Sequence, residues 1–242
     1  MRNYEQELAK RVAFIQGLLR ESGAEGIVYG NSGGKDSALV GILCKRACEN
    51  TVALIMPISA RNFDVDRRDG LEVAAKFGIS TREIGLADVK QKFIGTLSEN
   101  VALSDMAAAN MSARLRMITL YAVAASEYRL VAGTGNRSEA YMGYFTKWGD
   151  GAHDFNPIGD LTVTEIYEFL KFLGAPEAVI TKAPSAALFD GQTDEDEMGI
   201  TYARIDDYLL NGKATDEDRA LIERFHARAA HKLAMPIGYK EG

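Results

Sequence analysis

The stretch Tyr29-Gly30-Asn31-Ser32-Gly33-Gly34-Lys35-Asp36-Ser37 constrains this chain more than any other. Before it, residues 26–29 form an apolar run that reads as a short buried strand. After it, residues 38–48 carry the apolar stripe of a helix. A strand, a turn of small residues and a helix start make a nest of backbone N–H groups, with the positive end of the helix dipole behind it. Gly33 and Gly34 let the backbone approach an anion that a Cβ would hold off. Ser32 and Ser37 add hydroxyl donors. Asp36 would repel phosphate unless it serves as a magnesium ligand. A Walker loop is excluded, because Tyr29 stands where its first glycine belongs and Asp36 where its Ser or Thr belongs. The dinucleotide glycine fingerprint also fails here, and again at Gly133-Thr134-Gly135, where Ser138 replaces the last glycine.

The remaining string, Ser32-Gly33-Gly34-Lys35-Asp36-Ser37, resembles the loop of the ATP pyrophosphatases, which cleave ATP between its α and β phosphates. Around it, strand and helix patterns alternate. Helices are expected at 4–20, 66–77, 87–97, 106–127, 162–173, 201–210 and 216–233. Further strands are expected at 51–56, 79–84 and 129–132, the second polar enough for a sheet edge. This order predicts an α/β fold: a doubly wound, mostly parallel sheet flanked by helices, in a single domain over residues 1–242. Residues 140–160 read as irregular. An acidic run without periodicity makes about 186–198 an expected mobile lid. The alanines and methionines of 106–127 suit close helix packing, either within the chain or against a second subunit.

With 242 residues and a net charge of −6, the chain can bury a large core and does not suit a general nucleic-acid binder. No apolar run approaches the ~18–20 residues that span a membrane. The first residues lack a signal peptide's apolar core, so the cytoplasm is expected. Cys44 and Cys48 read as small core residues, with no histidine nearby to complete a zinc site.

Four further stretches resemble the NAD synthetases, one branch of the pyrophosphatase group. They are Asn110 to Met117, Gly133 to Glu139, Gly143-Tyr144-Phe145-Thr146-Lys147-Trp148-Gly149-Asp150-Gly151, and Asp194 to Tyr202 with Asp206 to Leu209. The resemblance runs in order from residue 30 to His231-Lys232. It implies ATP-dependent conversion of deamido-NAD to NAD: ATP adenylates the nicotinate carboxylate, then ammonia displaces AMP. Such a reaction needs positioning and charge compensation and no protein nucleophile.

Roles follow from the resemblance, position by position. Gly30, Asn31, Ser32, Gly33, Gly34, Lys35, Asp36 and Ser37, with Thr134 and Ser185, are expected to bind ATP and its pyrophosphate. Asp36 and Glu139 are expected to bind magnesium; without the resemblance, Glu139 reads as a glutamate at a helix N-terminus. Arg114, Lys147, Asp154, His231 and Lys232 are expected to contact deamido-NAD, with Asp36, Lys147 and Asp154 nearest the chemistry. One departure stands out: many family members place a lysine for ATP where this chain has Val163, leaving Lys35 or Lys182 to compensate. A first helix starting by about residue 4 leaves no room for a glutaminase domain, so free ammonia is the expected nitrogen source. A homodimer is expected from the family. Rival readings are another amidating or thiolating enzyme of this fold, or a nucleotide sensor without catalysis.

Overall fold

The computed structural model describes residues 2–58, 63–181 and 194–239. A helix, α1 (Tyr4–Ser22), leads into β1 (Gly26–Gly30), α2 (Lys35–Ala47) and β2 (Thr51–Ile55). Then follow α3 (Phe63–Phe77), β3 (Ser80–Glu83), α4 (Ala87–Ser98), α5 (Asp105–Ser126) and β4 (Arg129–Ala132). Further helices among the described residues are α6 (Arg137–Met142), α7 (Val163–Leu173), α8 (Glu177–Thr181), α9 (Asp194–Met198), α10 (Tyr202–Asn211) and α11 (Asp216–Leu233).

The four strands lie in the order β3-β2-β1-β4 and every pairing is parallel. Chain order reverses between β1 and β4, and the crevice above that reversal is where such sheets bind ligands. β3 is an edge strand, as its polarity predicts, and the expected fold class holds. Alternation along the strands sorts the core into two layers. Ile27, Tyr29, Ala53 and Ala132 face α1, α2 and α7, where Leu39, Ile42, Leu43, Ile166 and Phe169 are fully buried. Val28, Val52, Leu54 and Val131 face the other way, against Ala124 of α5. A third cluster joins Met142, Val163, Met198, Ile200, Tyr202, Ile205 and Ile222.

Two stretches are more ordered than their composition predicts. Part of the segment read as irregular belongs to α6, closed by Gly143 in the left-handed conformation. Residues 194–198, inside the expected lid, form α9, with Asp194 and Met198 buried; residues 186–193 lie outside the described residues. No helix among the described residues is long and apolar enough to cross a membrane.

Candidate active site

The switch point opens into a cleft of about 1170 Å³, bounded by the β1–α2 loop, the ends of β2 and β4, α5, α6 and α11. The loop is braced from inside. Gly34 N–H donates to Ser32 Oγ at 3.3 Å, Ser32 and Ser37 hydroxyls lie 3.1 Å apart, and Ser37 donates to the Gly34 carbonyl at 3.0 Å. Gly33 has φ +72°, and a Cβ there would stand 2.0 Å from the Asp66 carbonyl oxygen. Only glycine lets α3 press against the loop this closely. Asn31 holds that contact together, its amide donating to the Gly70 carbonyl at 3.1 Å while its oxygen accepts from Gly33 N–H at 3.1 Å. Gly34 is the N-cap of α2 and offers no side-chain cap, so the first N–H groups of the helix are presented to an anion.

Behind the loop lies a charged group. Lys35, 6% exposed, places Nζ 2.8 Å from Asp36 Oδ2 and about equally far from the rings of Tyr167 and Tyr202, at 6.0 and 5.8 Å from their centroids. Burial alone would lower its pKa, but Asp36 and Glu139 outweigh burial and hold the ammonium charged. Lys35 is therefore committed to Asp36, and Asn31 to the loop; both line the cleft.

Glu139 comes from α6, whose N-terminus is anchored by Ser138 Oγ donating to Asp206 at 2.6 Å. Asn136 caps the helix, and Asn136 and Glu139 form a reciprocal capping box. Burial, then the negative charges of Asp36 and Asp194, push the Glu139 carboxyl far above the carboxylate range, against Lys35 and an N–H bond from Asn136. Two carboxylates placed close enough for one to raise the other's proton affinity offer the hard oxygen ligands of a divalent cation site. Among the described residues no group of three His, Cys, Asp or Glu could enclose a metal alone. Asp36 and Glu139 nevertheless fit magnesium, which takes one or two carboxylates and completes its shell with phosphate oxygens and water.

The opposite wall is made by α5, residues 143–151 and α11. Arg114 donates to the Lys147 carbonyl at 3.3 Å, and Lys147 Nζ donates to the carbonyl of His231. Lys232 Nζ donates to the carbonyls of Gly143 and Phe145, both at 2.8 Å. The structure thus brings four of the five expected dinucleotide contacts together. Thr134, His231 and Lys232 line the cleft, whereas Arg114 and Lys147 do not. Asp154 stands apart and exposed, accepting from Val131 N–H at 2.8 Å and from the Tyr121 hydroxyl at 3.2 Å. Ser185 and Lys182 lie outside the described residues. Val163 is buried among Met142, Met198 and Tyr202, a packing position that does not line the cleft.

Arg116, from the same Asn110–Met117 stretch, also lines the cleft, with Nε donating to the Met56 carbonyl at 3.3 Å. Burial lowers its pKa despite the pull of Asp150 and Asp66. The sequence signal was present, two residues beyond Arg114, but nothing in the pattern ranked one arginine over the other.

Comparison with known proteins agrees with this geometry. The NAD synthase family model matches residues 7–237. The chain belongs to the NAD synthase family. Its sequence is 43% identical over 237 residues to the NH(3)-dependent NAD(+) synthetase of Carboxydothermus hydrogenoformans, covering 97% of each chain. Among solved structures, it is similar to the NMN synthetase of Francisella tularensis, at 36% identity and TM-score 0.94 over the whole of both chains. It is also similar to an NH3-dependent NAD synthetase from Campylobacter jejuni, at 33% identity and TM-score 0.82 over 99% of this chain and 100% of that one.

Proposed function

We propose that the chain amidates deamido-NAD to NAD, using ATP and free ammonia, and releasing AMP and pyrophosphate. The observation that carries this reading is a single cleft with an anion nest and a carboxylate pair at one side and basic residues, His231 and Lys232, at the other. In the first step a nicotinate carboxylate oxygen attacks the α-phosphorus of ATP and the bond to the β-phosphate's bridging oxygen breaks. The N–H groups starting α2, with Ser32 and Ser37, hold the departing pyrophosphate. In the second step ammonia attacks the activated carbonyl carbon, the nitrogen gives up a proton, and AMP leaves with the former carboxylate oxygen. Magnesium held by Asp36 and Glu139 would supply positive charge to the phosphate oxygens. The side chains orient both nucleotides, and proximity supplies much of the rate.

The same reading makes the protein a homodimer. α5 buries only Ser112 and Ala124, while Met106 and Ile118 on it are 55% and 57% exposed and nearby Trp148 is 47% exposed. A second copy over this face would also enclose Arg114 and Asp154, which one chain leaves outside its own cleft.

One observation favours a second reading of the acceptor. The Francisella structure, which superposes at TM-score 0.94, is an NMN synthetase, so nicotinate mononucleotide is the rival substrate. Purified protein is assayed with ATP, magnesium and ammonium chloride, offering deamido-NAD and nicotinate mononucleotide separately. A higher kcat/KM for deamido-NAD, with no product when glutamine replaces ammonium, is the expected result. Preference for the mononucleotide would transfer the reaction to that acceptor, and no amidated product from either would reject the ligase reading.

A further inference from the structure

Asn136 is fully buried and makes three hydrogen bonds that join two helices. Its Oδ1 accepts from Glu139 N–H at 2.9 Å, its backbone N–H donates to Glu139 Oε2 at 3.1 Å, and its Nδ2 donates to Asp36 Oδ1 at 3.1 Å. Helix capping requires only the first of these, and serine or aspartate would cap equally well. An amide differs in accepting along one edge and donating along the other while remaining uncharged. Here the accepting edge meets an N–H and the donating edge meets a carboxylate. The flipped amide would set donor against donor and acceptor against acceptor, so the orientation is determined by its partners.

The result is a carboxylate held on both sides. Asp36 Oδ1 is bound by Asn136 and Oδ2 by Lys35 at 2.8 Å. Glu139, three residues along α6, has Oε2 fixed by the backbone of the same asparagine. One neutral residue therefore sets the orientation of both carboxylates, which come from opposite sides of the switch point. We infer that Asn136 is the positioning residue of the cation site, aligning Asp36 and Glu139 so that both meet one divalent ion on the nucleotide. This rests on the reading above that the two carboxylates hold magnesium.

Asn136→Ser and Asn136→Asp separate positioning from capping. Both keep an acceptor for Glu139 N–H, and neither donates an amide proton to Asp36. ATP affinity is measured by calorimetry on each full-length protein without dinucleotide, once with excess magnesium and once with EDTA; thermal unfolding is followed alongside. For the wild type, magnesium should tighten ATP binding. In both variants that tightening should shrink by about tenfold or more, the usual effect of losing a hydrogen bond to a metal ligand. Affinity in EDTA should stay close to wild type for Asn136→Ser, which should still unfold in one cooperative transition at a lowered melting temperature. Magnesium-dependent tightening equal to wild type in either folded variant would overturn the inference and leave Asn136 a helix cap. Absence of tightening in the wild type itself would remove the magnesium reading, and the inference with it.

Discussion

The two sides of the cleft are built differently. At the nucleotide loop, the side chains form a closed network: Asn31 to α3, Ser32 to Ser37, Lys35 to Asp36, and Asn136 to both carboxylates. At the opposite wall, side chains bond mainly to backbone carbonyls of neighbouring segments, and Arg114 and Asp154 do not line the cleft they are expected to serve. Buried polar networks cost most when partly satisfied, so the loop side is pre-organised and tolerates little change. The exposed wall tolerates more, and in the proposed dimer a second surface covers it. Under the proposed homodimer, ATP binding is a property of one chain and acceptor binding a property of two.

The largest effect should come from Asp36→Asn, which removes one of two charges facing the phosphates. Turnover should drop on the order of 100- to 1000-fold in a steady-state assay, with the fold retained. A smaller drop would show that Glu139 suffices. Next comes Gly33→Ala, where a positive φ and a 2.0 Å approach to the Asp66 carbonyl leave no room for a methyl group. Thermal or urea unfolding should show a loss of roughly 1–3 kcal/mol, with ATP binding weakened in parallel.

On the wall side, Arg114→Ala should raise KM for the dinucleotide about tenfold, near 1.4 kcal/mol, while KM for ATP changes little. Mixed dimers sharpen the contrast. An Asp36→Asn chain combined with an Arg114→Ala chain should recover activity at low dinucleotide concentration, because one of the two shared clefts is then intact. No recovery in verified mixed dimers would place both residues in one chain's site.

The pH dependence follows from Glu139. Its proton affinity rises on folding, from the ordinary 4.5 to about 8. The folded state therefore binds more protons than the unfolded one across that window, and stability contributed by this group falls as pH increases through it. Glu139→Gln, which mimics the protonated acid, should gain stability relative to wild type as pH rises between those values in magnesium-free buffer. A gap that narrows with pH would contradict the electrostatic account. The smallest effect is expected from Val163→Ala: about 1–2 kcal/mol lost on unfolding, from a cavity beside Tyr202, with little change in KM for ATP.

Much of this contrast could be read from residue order. Gly33-Gly34 between an apolar strand and a helix leaves few structures besides an anion nest, and the continuous apolar runs at 26–29 and 51–56 predict buried strands. Glu139 was legible in two ways, as a helix-start glutamate and as a magnesium ligand. The structure supports the first directly, since Glu139 closes a capping box. What sequence did not reveal are bonds between distant residues. Asn136 and Asp36 are 100 positions apart, and no periodicity links them. Lys35 beside a phosphate loop reads as a phosphate ligand, yet its side chain turns towards Asp36, Tyr167 and Tyr202. The acidic run at 194–197 has a solvated composition, but α9 buries Asp194, which accepts from the Tyr202 hydroxyl at 3.2 Å.

The central claim is that this cleft activates a nicotinate carboxylate as an acyl-adenylate before ammonia attacks. Deamido-NAD labelled with 18O in that carboxylate tests it most directly, with the products of a complete turnover separated by mass spectrometry. One 18O appearing in AMP, with the other retained in the NAD amide, is the predicted result. AMP free of label, or cleavage of ATP to ADP and labelled phosphate, would contradict it.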